Sequence, residues 1–272
     1  MPEPSLAIVI VSYNVRADLA RCLDSLATEV APATITVVDN HSADGTLAWL
    51  AARWPAVRAI DAGANLGFSR ANNLGIRATS SDLVLLLNPD TVVPPGAIAA
   101  LVAALAAHED TAAVGPRLVD GEGRVELSFG PMISPWGEFR QRRLLQAYEA
   151  GASWAVAEVE RLTRAPGTPD WITGACLLAR RADLEAVGLL DERYFMYTED
   201  VDLCAAFRAR GRRVRFVPDV TVQHLRGRSA SGAPGPTAQR RRESHLAFYR
   251  KHHPAWAPLL AFWLRRRGFD VR

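Results

Sequence analysis

The chain has 272 residues, 49% of them apolar, and carries 32 Arg and Lys residues against 29 Asp and Glu residues. Such a chain can bury a sizeable core in one large domain or in one domain with an appendage, and we favour the second organisation. Cys22, Cys176 and Cys204 lack metal-ligand spacing and the even count of a disulfide framework, and no apolar run reaches the roughly 18 residues of a membrane-spanning helix.

Short β-rich runs alternate with helical patterns over the first 120 residues, which predicts a mostly parallel sheet with crossover helices. The predicted strands are residues 6–11, 34–38, 57–60 and 83–87. The predicted helices are residues 15–26, 44–54 and 69–79 and an Ala-rich stretch that ends near residue 108. We expect Asn14 to cap the first helix, and Pro94 and Pro95 to open the last.

The second half of the chain is less regular. Residues 120–123 (D-G-E-G) predict a hairpin turn, and residues 128–169, with a short helix near 152–162, resemble an insertion that could cover a substrate. Strands are predicted at 171–178, 213–218 and 221–224, and Thr198 is expected to cap a helix that ends at Arg210. The Gly, Ser, Pro and Arg content of residues 226–236 predicts a flexible loop.

Positive charge is concentrated toward the C-terminus, where residues 205–272 hold 16 Arg and Lys residues and 3 acids. The segment 255–264 (A-W-A-P-L-L-A-F-W-L) is followed by Arg265, Arg266 and Arg267. Aromatic residues beside cations are typical of a helix at a membrane interface. Two interpretations stay open, namely peripheral contact with an anionic membrane and a helix packed on the protein's own body.

Four predicted strands end in polar residues. Ligands of an open parallel sheet bind beyond the carboxyl ends of its strands, so these ends predict a nucleotide site. The first strand ends in Ser12, Tyr13 and Asn14, and the second in Asp39, Asn40, His41 and Ser42. The third leads to Asn65, Leu66, Gly67 and Phe68, and the fourth ends in Asn88, Pro89 and Asp90.

Two acidic motifs indicate two chemical tasks. Asp90 follows a buried strand in N-P-D-T, where a carboxylate suits a divalent cation beside a phosphorylated ligand. Glu199, Asp200 and Asp202 stand within four positions, so repulsion should raise the pKa of at least one of them and tune it as a general base. The alternative is that these acids only stabilise the N-terminus of a helix through its dipole.

Five motifs, taken together, resemble glycosyltransferase family 2, in particular its bacterial rhamnosyltransferase-like branch. They are V-S-Y-N at 11–14, V-V-D-N-H-S-A-D-G-T at 37–46, N-L-G-F-S-R-A-N-N-L-G at 65–75, N-P-D-T at 88–91 and Y-T-E-D-V-D-L at 197–203. The resemblance implies a GT-A fold, an α/β fold whose mostly parallel central sheet is flanked by helices. It also implies a nucleotide diphosphate sugar donor, a divalent cation (Mg²⁺ or Mn²⁺) and inversion at the sugar carbon.

The same resemblance implies a set of donor-binding residues. Asp39 is expected to accept from N3–H of a uracil or thymine, although it could instead cap the helix at 44–54. Gly67 allows close approach of the backbone, while Asn73 either binds the ligand or braces its helix. The implied donor-binding residues are Ser12, Tyr13, Asn14, Asp39, Asn65, Gly67, Arg70, Asn73 and Asn88.

Metal, catalytic and acceptor residues follow from the resemblance as well. Asn88 replaces the first acid of the Asp-x-Asp motif that the family often has, so Asp90 becomes the main carboxylate ligand of the metal. His224 matches a histidine that completes the metal site, and its alternative is a structural role. Asp200 matches the general base and Glu199 its supporting neighbour. The implied acceptor-binding residues are Trp171, Gly174 and Asp202, and Trp171 could equally belong to the core.

We therefore expect residues 1–225 to form the catalytic domain, with 1–115 binding the nucleotide sugar and 116–225 the acceptor. Residues 226–272 are expected to form a basic loop and a helical appendage. The expected activity is inverting transfer of a sugar, with rhamnose as a candidate, from a UDP- or dTDP-sugar to a hydroxyl of a glycan or lipid-linked acceptor in cell-surface polysaccharide synthesis. No signal peptide is predicted, so the expected location is the cytoplasm, with peripheral contact at the inner membrane face as an addition.

Two other functions fit parts of the sequence. A sugar nucleotidyltransferase shares the nucleotide-binding architecture, but V-S-Y-N-V-R-A-D-L lacks the Gly-rich, basic phosphate loop expected after its first strand. A non-catalytic module whose basic tail binds nucleic acid would need interleaved aromatic residues or a recognition helix, and it leaves the acidic motifs unexplained. No nucleic-acid partner is expected.

Overall fold

A computed structural model describes residues 4–225 and 234–271, with side chains from residue 238 onward in the last segment. The first nine strands and α-helices are β1 Leu6–Ser12, α1 Arg16–Leu26, β2 Ile35–Asp39, α2 Thr46–Arg53, β3 Arg58–Asp61, α3 Phe68–Arg77, β4 Leu83–Leu87, β5 Thr91–Val92 and α4 Ala97–Ala106. Strands β3, β2, β1 and β4 lie side by side in parallel, as predicted, so their carboxyl ends meet at one edge.

The second half of the chain completes the sheet. Its elements are β6 Thr111–Val119, β7 Val125–Glu126, β8 Phe129–Gly130, α5 Pro135–Glu149, α6 Ser153–Arg164, β9 Trp171–Ile172, β10 Cys176–Arg180, α7 Arg181–Ala186, α8 Glu199–Ala209, β11 Arg213–His224, α9 Pro234–His252 and α10 Ala257–Arg266. The strand order is β3-β2-β1-β4-β10-β6-β11-β5, with β7 paired to β6. β10 is antiparallel to β4 and β6, so it joins the parallel array to the remaining strands.

Helices cover both faces of the central strands, which is why β1 and β4 read as nearly continuous apolar runs. On one face Ile10 packs in a cluster with Leu23 of α1, and on the other Val9 packs in a cluster with Ile76 of α3 and Phe207 of α8. The three cysteines are free and buried, as predicted.

Three helix starts differ from the prediction. Asn14 does not cap α1, because its Oδ1 accepts from the N–H of Ala43 at 2.7 Å. Thr198 precedes α8 in the left-handed region, with φ 73°, and its side chain makes no capping hydrogen bond. Pro94 and Pro95 lie before Gly96, the N-cap of α4, rather than in its first turn.

Strand boundaries also differ in the second half. The predicted strands at 213–218 and 221–224 form one strand, β11, whose register with β6 shifts between Val217 and Thr221. The predicted strand at 171–178 is divided into β9 and β10 by a turn at 173–175. The hairpin turn predicted at 120–123 joins β6 to β7. In the insertion, α6 matches the predicted helix, whereas α5 was missed because no residue of it is buried and its apolar stripe is weak.

The described part of the tail shares a core with the rest of the chain. Leu246 and Phe248 of α9 and Leu264 of α10 pack in one cluster with Tyr194 and Val201. The tail is thus packed on the body, and the division into domains at residue 225 stays a prediction. Residues 226–233 of the predicted flexible loop lie outside the described residues, and 234–236 begin α9. Within 4–225 and 234–271, no helix is long and apolar enough to cross a membrane.

Candidate active site

Asp39 and Ser12 lie side by side where β2 and β1 end. Asp39 is 1% exposed, and its Oδ2 accepts from the backbone N–H of Ser42 at 3.0 Å. Its Oδ1 and the Oγ of Ser12 are buried without a hydrogen-bond partner among the described residues. Buried polar atoms are nearly always paired, so these two atoms point to a polar ligand. Asp39 does not cap α2, because Asp44 accepts from the first N–H of that helix, at Thr46.

Tyr13 and Asn14 form the loop next to this pair. Tyr13 is 38% exposed, so its ring is free to contact a ligand. Asn14 has φ 55°, donates its N–H to the Oγ of Ser42 at 2.9 Å and accepts from Ala43. Asn14 therefore ties the loop after β1 to the loop after β2, and it shapes the site through the backbone.

Asn40 connects the end of β2 to the loop that precedes α3. Its Oδ1 accepts from the N–H of Leu66 at 2.8 Å, and its Nδ2 donates to Oδ1 of Asn65 at 2.9 Å. Asn65 Oδ1 also accepts from the N–H of Gly67 at 3.1 Å. The side-chain amide oxygen of Asn65 therefore accepts hydrogen bonds within the loop, while the residue itself stays exposed beside the site.

Gly67 brings this loop against the segment that leads into α8. Its φ is 81°, and a Cβ at this position would lie 2.5 Å from the carbonyl oxygen of Phe195. The N–H of Phe68 donates to the same oxygen at 2.6 Å. The close backbone approach expected at Gly67 is thus present, and any side chain there would push the two loops apart.

Arg70 and Asn73, two predicted donor residues, are engaged elsewhere. Asn73 is fully buried, donates to the carbonyl of Leu190 at 2.8 Å and accepts from the N–H of the same residue at 3.0 Å, so it braces α3. Arg70 is exposed, and its guanidinium lies 3.5 Å from the carboxylate of Glu192. The structure favours the bracing alternative for Asn73 and does not bring Arg70 to the site.

Asn88, Asp90 and His224 meet where β4 and β11 end. The Nε2 of His224 lies 3.4 Å from Asp90 Oδ1 and 3.4 Å from Asn88 Nδ2. The other ring nitrogen, Nδ1, lies 2.9 Å from Oε2 of Glu126 on β7. Glu126 thus fixes the ring so that Nε2 faces Asp90.

The donor atoms of this cluster fit a divalent cation. Burial lowers the pKa of His224, but its hydrogen bonds with Asp90 and Glu126 outweigh burial and raise the pKa to about 9. Asn88 Oδ1 is buried and, among the described residues, unpaired. A carboxylate, an imidazole and an amide oxygen suit Mn²⁺ or Mg²⁺, and a carboxylate behind the histidine is the usual support of a metal ligand. No group of three His, Cys, Asp or Glu side chains in the described ranges is placed to hold a metal by itself.

Asp200 is held at the first turn of α8. Its Oδ2 accepts from the N–H of Gly174 at 2.9 Å, its Oδ1 accepts from the N–H of Val201 at 2.8 Å, and the hydroxyl of Thr173 donates to it as well. A Cβ at Gly174 would lie 3.5 Å from Cβ of Asp200 and 3.6 Å from the ring of Phe68. Gly174 therefore orients Asp200 through its backbone N–H, and it lies between the side chains of Asp200 and Phe68.

Glu199 and Asp200 differ in their affinity for a proton. Burial raises the pKa of Asp200, and backbone hydrogen bonds from Gly174 and Val201 oppose this rise. Burial and then the charge of Asp200 raise the pKa of Glu199 well above its usual value, and Glu199 Oε2 has no partner in the described part of the chain. Of the two side chains, Asp200 is the one whose carboxylate form is stabilised by hydrogen bonds from backbone N–H groups.

Asp202 is buried and bonded to α9. Its side chain is 3% exposed, its Oδ2 accepts from Nζ of Lys251 at 2.7 Å, and its Oδ1 is 2.6 Å from Nε2 of His252. The hydroxyl of Tyr194 donates to the same Oδ1 at 3.1 Å. The carboxylate of Asp202 therefore joins α8 to α9, and its predicted contact with the acceptor stays a prediction.

Trp171 favours the core alternative that the sequence left open. Its ring is partly buried and packs against two clusters of the core. Its Nε1 donates to the carbonyl of Pro131 at 2.8 Å, which anchors the edge of the indole in the protein.

One residue of the site carried no predicted role there: Glu126. Asn40 stands among the polar strand ends of the predicted nucleotide site, and Thr173 stands with Trp171 and Gly174 in the segment W-I-T-G-A, which resembles the acceptor floor of the family. Glu126 stands 98 residues before His224, and only the folding of β7 brings the two together. No sequence spacing indicated that pair.

Comparison with known proteins identifies the family. The sequence model described as "Glycosyltransferase like family 2" matches residues 2–257. An N-acetylglucosaminyl-diphospho-decaprenol L-rhamnosyltransferase of Mycobacterium tuberculosis is 34% identical over 98% of this chain and 91% of its own. The low-salt glycan biosynthesis hexosyltransferase Agl10 of Haloferax volcanii is 29% identical over 78% of this chain and 63% of its own.

Solved structures agree on the fold. The mannosyltransferase PcManGT from Pyrobaculum calidifontis superposes with a TM-score of 0.63 at 17% identity, covering 95% of this chain and 68% of that one. GalNAc-T7 gives a TM-score of 0.62 at 16% identity over 89% of this chain and 48% of that one. The predicted GT-A fold is confirmed, and the chain belongs to glycosyltransferase family 2, among relatives that include rhamnosyltransferases.

Proposed function

We propose that this glycosyltransferase moves a sugar, with rhamnose as the candidate, from a UDP- or dTDP-sugar to a hydroxyl of a lipid-linked glycan, with inversion at the anomeric carbon. The name of the mycobacterial relative supports this proposal, because it specifies a rhamnosyl transfer to a diphosphate-linked lipid sugar. The observation that carries the proposal is the contact between the loops of Gly67 and Phe195, because it joins the loop bonded to the end of β2, where Asp39 stands, to the segment that leads into Asp200.

On the donor side, the unpaired Oδ1 of Asp39 accepts from N3–H of a uracil or thymine, and Ser12 offers its hydroxyl beside it. The exposed ring of Tyr13 lines the base or ribose. Cytosine and adenine lack that N–H donor, so a buried carboxylate at this position discriminates against their nucleotides.

On the diphosphate side, Asp90, His224 and the amide oxygen of Asn88 would hold a Mg²⁺ or Mn²⁺ ion. A bound cation of this kind neutralises charge on the diphosphate leaving group. Glu126 keeps the imidazole of His224 aimed at that position through the hydrogen bond to Nδ1.

Asp200 takes the proton of the acceptor hydroxyl as its oxygen attacks the anomeric carbon. The bond from that carbon to the diphosphate breaks on the opposite side, so a single displacement inverts the configuration. The hydrogen bonds from Gly174 and Thr173 keep Asp200 in place and favour its carboxylate form, whereas burial and the charge of Asp200 raise the pKa of Glu199.

A donor panel and product stereochemistry test this function. Hydrolysis of UDP- and dTDP-sugars in the presence of Mn²⁺ identifies the donor without knowledge of the acceptor. NMR of the transfer product then reads the anomeric configuration, and retention of configuration would contradict single displacement by Asp200. Hydrolysis of ADP- or CDP-sugars at the rate of the best uridine or thymidine donor would contradict the role of Asp39.

We also propose that the exposed face of α10 touches an anionic membrane. Ala257, Ala261 and Leu264 are buried, so the helix packs on the body with one face and turns the other outward. The outward aromatic residues, Trp256, Phe262 and Trp263, are 47%, 56% and 38% exposed and precede the three arginines. We therefore assign the two interpretations of the tail to different faces of one helix, and the location that we propose is peripheral, on the membrane that carries the lipid-linked acceptor.

Replacing Trp256 and Phe262 by Ser is expected to weaken sedimentation with phosphatidylglycerol vesicles about tenfold, because the aromatic side chains contribute apolar burial at the interface. Deleting α10 is a poorer test, since it would uncover the core beneath Leu264. Trp154→Ser on α6, which is 57% exposed, is the matched control. Equal sedimentation of the double variant and the wild type at low salt would show that the exposed face of α10 does not contact the membrane.

A further inference from the structure

Two consecutive residues in the left-handed region stand directly before the first turn of α8. Tyr197 has φ 70° and Thr198 has φ 73°. Left-handed backbone is uncommon outside glycine, and for a β-branched residue such as threonine it is a genuine outlier. A conformation of this kind persists only where surrounding contacts impose it. Residues 197–198, the left-handed turn, therefore depend on the segments packed around them.

The backbone that leads into the left-handed turn is held from two sides. The carbonyl of Phe195 accepts from the N–H of Phe68 at 2.6 Å. From the other side, the Oγ of Ser244 on α9 donates to the carbonyl of Met196 at 2.8 Å. Ser244 is buried, and in the part of the chain that the structure describes the carbonyl of Met196 accepts no other hydrogen bond. Two consecutive carbonyls are thus fixed, one by the loop before α3 and one by α9.

The left-handed turn determines where α8 begins. The carbonyl of Thr198 accepts from the N–H of Asp202 at 2.9 Å, which opens the helix. Asp200 is the second residue of α8, and its Oδ2 accepts from the N–H of Gly174 at 2.9 Å. Because so few bonds separate the turn from Asp200, a rotation of the turn would move the first residues of α8 and withdraw the carboxylate from Gly174.

Ring contacts between α9 and the same segment are of a different kind. The guanidinium of Arg240 lies 4.7 Å from the ring centre of Phe195, and that of Arg241 lies 5.7 Å from the ring centre of Tyr197. Both arginines are exposed, and exposed cation–π contacts between side chains contribute little. Loss of the bond from Ser244, in contrast, would leave a backbone carbonyl without its partner. Ser244 is therefore the residue of α9 that acts on the backbone of the segment.

We propose that Ser244 is a positioning residue for sugar transfer, which keeps the left-handed turn closed through the carbonyl of Met196 and thereby holds Asp200 beside Gly174. This inference rests on the base role proposed for Asp200. Ser244 is buried and bonds to the protein backbone, so its loss should lower turnover and leave binding of the nucleotide sugar unchanged.

Ser244→Ala tests the proposal, because it removes the hydroxyl and little else. The assay uses the most rapidly hydrolysed nucleotide sugar and an N-acetylglucosaminyl-diphosphoryl-farnesol acceptor. We expect kcat to fall by about tenfold or more, with the donor KM within about twofold, since a small displacement of a catalytic group is costly. Wild-type kcat in Ser244→Ala, or a rise in the donor KM without a loss of kcat, would overturn the proposal.

Thr163→Val on α6 is the matched control. Thr163 is fully buried, and its Oγ1 donates to the carbonyl of Val159 at 2.8 Å. The control therefore also removes a buried hydroxyl that donates to a backbone carbonyl, and it should keep wild-type kcat. An equal loss of kcat in the control would reduce the effect of Ser244→Ala to general destabilisation and overturn the assignment.

A glycine in the left-handed turn separates positioning from general damage. Glycine adopts the left-handed region without steric cost, so in Thr198→Gly the turn no longer needs the bond from Ser244. Ser244→Ala should therefore lower kcat by less than about threefold in the Thr198→Gly background, as a double-mutant cycle would report. A loss as large as that in the wild-type background would contradict the role of the turn.

Limited digestion with chymotrypsin examines the turn without turnover. The enzyme cleaves after aromatic residues, so cleavage after Phe195 or Tyr197 reports the open form of the segment. Mass spectrometry should show this cleavage about tenfold faster in Ser244→Ala than in the wild type and Thr163→Val, because its rate follows the open population. Equal rates in all three proteins would overturn the proposal. Failure of the proposed function would appear differently, as an Asp200→Asn variant that keeps wild-type turnover.

Discussion

Asp200→Asn is expected to lower the turnover number for sugar transfer by about 10² to 10⁴, the usual contribution of a general base. The amide keeps the size of the side chain but cannot take the acceptor proton. Donor affinity should stay within about threefold, because Asp200 acts on the acceptor rather than the nucleotide. Steady-state kinetics and calorimetry with the nucleoside diphosphate measure the two quantities. A variant that retains more than a tenth of wild-type turnover would remove Asp200 from this role.

Glu199→Gln is the matched control, since it is the neighbouring residue and the same chemical change. Burial and the charge of Asp200 raise the pKa of Glu199 and so favour its neutral form, which an amide resembles, and we expect this variant to keep most of the activity. A larger loss for Glu199→Gln than for Asp200→Asn would mean that the base is Glu199, and an equal loss would mean that both carboxyl groups are required. Because burial also raises the pKa of Asp200, activity should fall with decreasing pH at a midpoint above 3.8. Only the deprotonated form accepts a proton, so the loss lies on the acid side.

Asp90→Ala is expected to abolish measurable Mn²⁺ binding and to reduce transfer to the background rate. The substitution removes the only carboxylate proposed to bind the cation directly, and EDTA should stop the wild-type enzyme for the same reason. Calorimetric titration with Mn²⁺ and turnover in excess EDTA measure the two effects. Full wild-type turnover in EDTA, or unchanged Mn²⁺ affinity in Asp90→Ala, would exclude this site.

Two companion variants sharpen that experiment. Glu126→Gln should weaken Mn²⁺ binding by about 10- to 100-fold, as expected for a residue that supports a metal ligand. Asp219→Ala removes an exposed acid from the same strand as His224 and should leave the affinity unchanged. An effect of Asp219→Ala as large as that of Glu126→Gln would indicate general electrostatics instead of a local site.

The sequence was most informative where one pattern determines the local structure. Continuous apolar runs predicted β1 and β4, and the polar residues after them lie at one edge because parallel strands share their direction. Asp39, at the end of β2, and Gly67, in the loop before α3, stand where the motif and the required backbone geometry coincide. For this reason the GT-A fold could be predicted from the sequence.

The remainder depended on contacts between distant segments. Asn73 and Asp202 stand in motifs beside functional residues, yet each is bonded to a segment that no sequence spacing connects with it. The carboxylate of Asp202 is bonded to Lys251 and His252, about fifty residues later. A motif shows that a residue is near the site but does not show which way its side chain points. Helix α5 was missed because it has no buried stripe.

The bonds of Asp202 to α9 tie α8 to a segment that follows it by about fifty residues. A variant that removes Lys251 would leave the buried carboxylate of Asp202 without its cationic partner, and breaking a buried ion pair costs about 3–5 kcal/mol. The position of α8 therefore depends on α9. In the protein, α8 and α9 should exchange their amide hydrogens as one cooperative unit. Asp202→Asn should accelerate amide hydrogen exchange in both helices together.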